Sequence, residues 1–306
     1  MMTADRGTDM SGRKEETIVG FIGTGVMGRS MAGHILSAGY PLHVHNRTRS
    51  KADALLSAGA VWESSVAELA RQCNVIITIV GYPRDVRAVY FGDAGILRNA
   101  RAGCYAIDMT TSEPGLAVEI WEMARQLGIR ALDAPVSGGD IGAREARLSI
   151  MVGGDSDAFE DMLPIFQVMG KNIIRQGNAG SGQHTKLANQ IAIAGNMVGV
   201  CEAMAYAKRA GLDPSTVLKS IGGGAAASWS LQNLAPRMIA GDFAPGFYVK
   251  HFIKDMTIAR ETATKMGLDV PGLALAESLY KRLSASGGGD DGTQGLFRLY
   301  EQGPST

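Results

Sequence analysis

The chain is short of cysteine, has no surplus of charge of either sign, no long apolar run and no internal repeat. Each shortage closes off a class of protein. Three cysteines, Cys73, Cys104 and Cys201, stand far apart with no CxxC pair. A disulfide framework or a zinc site built on paired thiols is therefore not expected, and a reducing, cytoplasmic compartment fits. Lysine plus arginine number 30 and aspartate plus glutamate 30, so the formal net charge is zero. Partners of nucleic acid or anionic membrane usually carry a basic excess, so neither is expected, and a small-molecule ligand is. The longest apolar stretch, Gln190–Ala207, contains Gln190, Asn196 and Glu202. A bilayer disfavours such residues, so the stretch reads as a buried helix. Residues 1–16 are polar, lack the apolar centre of a signal peptide and read as a disordered tail.

What is present suits a globular protein. The 306 residues are 45% hydrophobic and 20% charged, enough for two domains with sizeable cores. Short apolar runs TIVGFI (17–22), PLHVH (41–45), NVIITIV (74–80), CYAID (104–108) and RALDA (130–134) alternate with helical patterns at Val26–Ala38, Lys51–Ala58, Arg84–Tyr90 and Pro114–Leu127. That alternation predicts βαβ units and a doubly wound parallel sheet of Rossmann type. LSIMVGG (148–154), a helix over Asp155–Met169 and NIIRQ (172–176) extend it. After Gly182 only helical periodicity remains, broken by glycine and proline. The expected division is a dinucleotide-binding domain at 17–180 and an all-helical substrate and dimerisation domain at 181–306, joined by a long helix. The glycine-rich Gly177–Gly182 segment suits a hinge or cleft floor, and Gly287–Gly289 with Asp290 and Asp291 reads as a flexible loop.

The first strand ends in Gly23-Thr24-Gly25-Val26-Met27-Gly28 and a helix follows. GxGxxG is weak alone, but between a strand and a helix it has a physical meaning. Gly23 permits the tight turn, Gly25 lets the backbone approach a pyrophosphate and Gly28 lets helix pack on strand. The helix N-terminus offers its N–H groups to the anion. A carboxylate roughly 20 residues on would select NAD. Here the position eighteen residues after Gly28 is Asn46, followed by Arg47, Thr48 and Arg49. Two guanidinium groups suit a 2′-phosphate, so NADP is expected ahead of NAD.

Two further segments carry chemistry. In Asp133-Ala134-Pro135-Val136-Ser137-Gly138-Gly139 a hydroxyl and successive glycine N–H groups on a turn make a concave site suited to a carboxylate. In Gly177–Gln190, Lys186 falls in the first turn of the long helix, where a cation opposes the dipole. That placement calls for a functional reason, and a lysine kept ready to exchange a proton supplies one. Asn189 and Gln190 project near it on the helix. His43 and His45 share a strand face, but with no third ligand nearby they read as a structural pair rather than a metal site. Met197, Met204, Trp229 and Phe247 read as core, with Trp229 a candidate for the pocket wall.

The segments GFIGTGVMGRSMAGHI (20–35), DAPVSGGDIGA (133–143), GNAGSGQHTKLANQ (177–190) and FIKDMTIA (252–259) together resemble the β-hydroxyacid dehydrogenase family, which includes 3-hydroxyisobutyrate dehydrogenase and tartronate semialdehyde reductase. The resemblance implies an NADP- or NAD-dependent oxidoreductase acting on a small 3-hydroxy acid or semialdehyde. It implies Lys186 as acid/base, Ser137, Gly138 and Gly139 as substrate holders, and Thr111 and Lys254 as cofactor or substrate contacts. Val80 and Gly81, where the NVIITIV run ends, join the cofactor set. The family usually has asparagine four residues after the lysine; here Gln190 stands there and Asn189 one earlier, so either amide could meet the substrate. Tartronate semialdehyde, succinic semialdehyde and glyoxylate are alternative substrates. A non-catalytic NADP-binding module is the alternative class; an imine reductase is disfavoured by Lys186. The long apolar helix implies a homo-oligomer, dimer or tetramer.

Overall fold

The computed structural model describes residues 14–301. The expected tail at 1–16 lies outside this range except for Lys14–Glu16, a 3-10 turn whose Glu16 carbonyl accepts a hydrogen bond from Asn74. Contacts divide the chain into two compact units, Met1–Lys186 and Leu187–Thr306.

The first unit is built on a nine-stranded sheet: β1 Val19–Ile22, β2 Leu42–His45, β3 Val61–Trp62, β4 Val75–Thr78, β5 Tyr105–Asp108, β6 Arg130–Asp133, β7 Val136–Ser137, β8 Leu148–Gly154 and β9 Gly170–Gly177. The order is β3-β2-β1-β4-β5-β6-β8-β7, with β9 also paired to β8. β1 and β4 are buried along their whole length, as strands covered by helices on both faces must be. This is a Rossmann sheet, parallel from β3 through β6. The extension differs from the expected simple continuation: β8 runs antiparallel to β6 and β7. Two strands, β3 and β7, are two residues each and leave no periodic signal in the sequence.

Register decides where the chemistry sits. Ile22, Thr78, Asp108 and Asp133 pair in one row across the carboxyl ends of β1, β4, β5 and β6. The strand order reverses at β1, with β2 on one side and β4 on the other. That switch point is where open α/β sheets leave a crevice for ligands. Helices begin where proline fixes the first turn, at Pro83 and Pro114, or where Ser65 accepts the Glu68 N–H. One core face gathers Phe21, Met31, Ile35, Val44 and Ile77; the other gathers Leu69, Ile76, Val86, Tyr90 and Ile120.

The second unit is helical: among the described residues it holds no strand, only one isolated bridge between Tyr248 and Gly292. The helix Ser181–Arg209 enters it, and helices Pro214–Ile221, Val249–Lys265 and Pro271–Ala285 follow with shorter ones. Its core holds Met197, Cys201, Met204, Phe252, Met256, Tyr280 and Phe297. The Phe252 and Tyr280 rings meet edge-on at 5.0 Å. Trp229 is not core: it begins a five-residue helix and is 53% exposed. Nor is the Gly287–Asp291 segment a loose loop. Gly288–Asp290 form a 3-10 turn, with Asp290 paired to Lys250 and Asp291 to Arg298.

Among the described residues, no helix is long and apolar enough to cross a membrane. All three cysteines are buried, and burial pushes the Cys73 and Cys104 thiols up to about 12, so neither is a thiolate near neutral pH.

Candidate active site

The glycine turn behaves as three separate devices. Gly23 has φ +101° and a Cβ there would stand 2.1 Å from the Ile79 carbonyl oxygen. A Cβ on Gly28 would stand 1.9 Å from the Gly23 oxygen, so helix and strand can meet only through glycine. Around Gly25 nothing lies within 4 Å, and Gly25 and Val26 are exposed. The tight turn and the close packing are occupied by protein, whereas the middle glycine, Gly25, is open. Thr24 Oγ1 is buried without a hydrogen-bond partner beside it. An open backbone approach and an unsatisfied buried hydroxyl both fit a dinucleotide phosphate at this turn.

Asn46 ties the turn to the end of β2. Its Oδ1 accepts the Thr24 N–H at 3.2 Å and its Nδ2 donates to the Thr48 carbonyl at 2.8 Å. Arg47 extends outward, 85% exposed, with a long 3.5 Å contact to Asp85. Arg49 lies over the Trp62 ring at 5.6 Å. His43 and His45 both turn to Glu63, one to its carboxylate at 2.7 Å and the other to its backbone carbonyl at 2.9 Å. Beyond β4, the Val80 N–H donates to Thr110 Oγ1 at 3.0 Å, and Gly81 follows, partly buried. The Thr110 N–H in turn donates to Asp108 Oδ1, which also accepts from Thr78. This network shapes the backbone at Val80, Gly81 and Thr111.

The Ser137–Gly139 turn is partly buried, with φ +131° at Gly138 and +63° at Gly139. Those values lie in the region glycine adopts without strain. Lys186 is 7% exposed on the helix that starts at Ser181. An ammonium so enclosed near a helix N-terminus is rare in a merely structural role.

Two residues without an assigned role in the sequence reading organise this helix start. Asp133 Oδ1 accepts the Gly180 N–H and Oδ2 the Gln183 N–H, both at 2.8 Å. Burial pushes the Asp133 carboxyl up to about 6, partly offset by those N–H groups. The wholly buried Gln183 donates through Nε2 to the Thr110 carbonyl at 2.7 Å and accepts the Ser112 N–H at 2.9 Å. Their only sequence signal was a carboxylate at a strand end and a glutamine one turn before a lysine.

In the second unit, Gln190 is 1% exposed and engaged at both ends of its amide. Its Nε2 donates to Asp255 Oδ2 at 2.6 Å and its Oε1 accepts from Asn189 Nδ2 at 2.8 Å. Lys254, 11% exposed at its side chain, pairs with Asp255 Oδ1 at 3.0 Å. Asp255 was not singled out from sequence either.

A glycine turn at the switch point of a largely parallel sheet, with a helical second unit, defines a dinucleotide-binding oxidoreductase of the two-domain kind. The profile of the NAD binding domain of 6-phosphogluconate dehydrogenase matches residues 18–177, and that of the NAD-binding domain of NADP-dependent 3-hydroxyisobutyrate dehydrogenase matches residues 180–300. The chain belongs to the β-hydroxyacid dehydrogenase family and uses NAD(P). It is 60% identical to an uncharacterized oxidoreductase, YkwC, of Bacillus subtilis (strain 168), over 92% of this chain and 98% of that protein. It is 41% identical to the 2-hydroxy-3-oxopropionate reductase of Escherichia coli (strain K12), over 88% of this chain and 92% of that one. The crystal structure of a 3-hydroxyisobutyrate dehydrogenase from Salmonella typhimurium superposes with TM-score 0.85 at 26% identity, covering 93% of this chain and all (100%) of that one.

Proposed function

We propose that this protein interconverts a small 3-hydroxy acid and its semialdehyde, with NADP preferred and Lys186 as the acid/base. The observation that carries the reading is an enclosed lysine in the second turn of the long helix, one turn later than the sequence pattern predicts. Gly23–Gly28, Asn46, Arg47, Thr48, Val80, Gly81 and Thr111 hold the dinucleotide. The exposed Arg47 guanidinium pairs with a 2′-phosphate.

Bound nicotinamide supplies or accepts the hydride. Lys186 gives a proton to the carbonyl oxygen in reduction and takes it back in oxidation. Ser137, Gly138 and Gly139 fix the substrate carboxylate so that the reacting carbon is held in one orientation. Asn189 or Gln190 is the amide that meets substrate; Lys254 contacts cofactor or substrate. The functional division falls at 17–180 and 181–306, as the sequence patterns imply.

Lys186→Ala is expected to lower kcat by about 10²–10⁴-fold while leaving NADPH affinity, read by fluorescence titration, unchanged. Retention of most of the rate would remove Lys186 from the acid/base role.

A second reading, 2-hydroxy-3-oxopropionate reduction, is favoured by the likeness to the E. coli reductase. Initial rates over 3-hydroxyisobutyrate, tartronate semialdehyde, succinic semialdehyde and glyoxylate, each with NADP(H) and NAD(H), separate the two. The helix Ser181–Arg209 presents Ala188, Ala192, Gly195, Gly199 and Tyr206 as exposed residues, which suits helix packing in a homo-oligomer. Light scattering reads that state.

A further inference from the structure

We propose that Asp133 and Gln183 are positioning residues that set where Lys186 stands relative to the Ser137–Gly139 turn and to the Thr111 loop. The inference rests on the acid/base role of Lys186 given above.

A helix usually satisfies its first N–H groups with a side chain just before its first turn. Here the residue before the helix is Gly180, which has no side chain. The cap arrives instead from the end of β6, 47 residues earlier, as a carboxylate that takes one N–H on each oxygen. The surrounding backbone is cut to fit it. A Cβ on Gly153 would stand 2.4 Å from Asp133 Oδ1, and one on Gly182 would stand 2.8 Å from Oδ2. Asp133 is 4% exposed and pushed up to about 6 by burial, so the ionised form is held there at a cost in stability.

The reach of this arrangement matches the catalytic parts. Ser137 follows Asp133 by four residues, and Lys186 follows Gln183 by three. One carboxylate thus fixes the spacing between the carboxylate-binding turn and the start of the lysine helix. Gln183 then fastens the third part. Its amide bridges the Thr110 carbonyl and the Ser112 N–H, one residue on either side of Thr111. A general acid must stand within hydrogen-bond reach of the oxygen it serves, and a misplacement of about 1 Å can cost on the order of 100-fold in rate. Three segments from separate parts of the chain meet at the first turn of the helix, and these two side chains join them.

The test compares Gln183→Ala, Gln183→Glu, Asp133→Ala and Asp133→Asn with wild type, well below each melting temperature. Gln183→Ala is expected to lower kcat by about 10–100-fold and to shift the pH at which kcat is half-maximal. Asp133→Asn keeps one acceptor oxygen and should recover part of the kcat lost in Asp133→Ala. If Asp133→Ala does not fold, the two Gln183 variants decide the matter, Glu keeping the acceptor for the Ser112 N–H. Folded Gln183 variants with kcat and pH profile within twofold of wild type would overturn the proposal. If Lys186→Ala is inert while those variants are unaffected, only the positioning roles fail. If Lys186→Ala remains active, the acid/base reading itself falls.

Discussion

The two glycine-rich turns of the first unit look alike in sequence and do opposite things. At Gly23–Gly28 the outer glycines are pressed against protein, and the middle one opens onto space. At Gly177–Gly182 the glycines face the protein itself: a Cβ on Gly180 would stand 3.0 Å from the Pro114 carbonyl oxygen, and one on Gly182 would stand 2.4 Å from that of Met151. The first turn leaves backbone open at its middle glycine. The second uses the same residue type to bring a helix start down onto a buried carboxylate, one turn before the enclosed Lys186. A glycine motif therefore reports close approach, and only its surroundings say to what.

Substitution at the second turn should do the most damage. Gly182→Ala places a methyl group against two carbonyl oxygens and Asp133 Oδ2. An expected loss of about 3 kcal/mol would appear as a lower urea midpoint; an unchanged midpoint would break the contrast. Asp133→Asn sharpens it through pH. The folded carboxyl titrates near 6 against a usual value of 3.8, so its contribution is fully present below 3.8 and is lost as pH rises through 6. The stability of wild type relative to Asp133→Asn should therefore fall by up to about 3 kcal/mol between pH 4 and pH 7, read by denaturant titration at each pH. A pH-independent difference would mean that the carboxyl is not perturbed in the fold. The smallest stability effect belongs to Gly25→Ala, within about 0.5 kcal/mol, because the position is open. That variant should instead bind NADPH about tenfold more weakly, seen by fluorescence titration. A large drop in melting temperature there would make the two turns alike after all.

Much of the scaffold was legible along the chain. Apolar runs such as NVIITIV gave β4, and the prolines at 83 and 114 marked helix starts, because strand and helix each imprint a local period. Strands of two residues, β3 and β7, carry no period and escaped notice. Trp229 read as core by residue type, yet stands exposed, since type alone does not say which side of a short helix meets the interior. The Gly287–Asp291 run read as flexible by composition, but Lys250 and Arg298 pin its aspartates. Among the candidate site residues, the glycine turn and Lys186 stood out by position relative to a strand end and a helix start. Asp255, which engages Gln190 from 65 residues away, did not.

The amino-acid order by itself determined the alternation of strand and helix, the glycine turn after β1 and the lysine near the start of the long helix, since each depends on residues within a turn or two of one another. Folding in three dimensions decided the antiparallel β8, the partner of each buried amide and the duty of Asp133. Those depend on pairs up to 73 residues apart, such as Gln183 and Thr110. Local periodicity holds no record of such pairs; only the register of the sheet and the docking of the helix start bring them within hydrogen-bond distance.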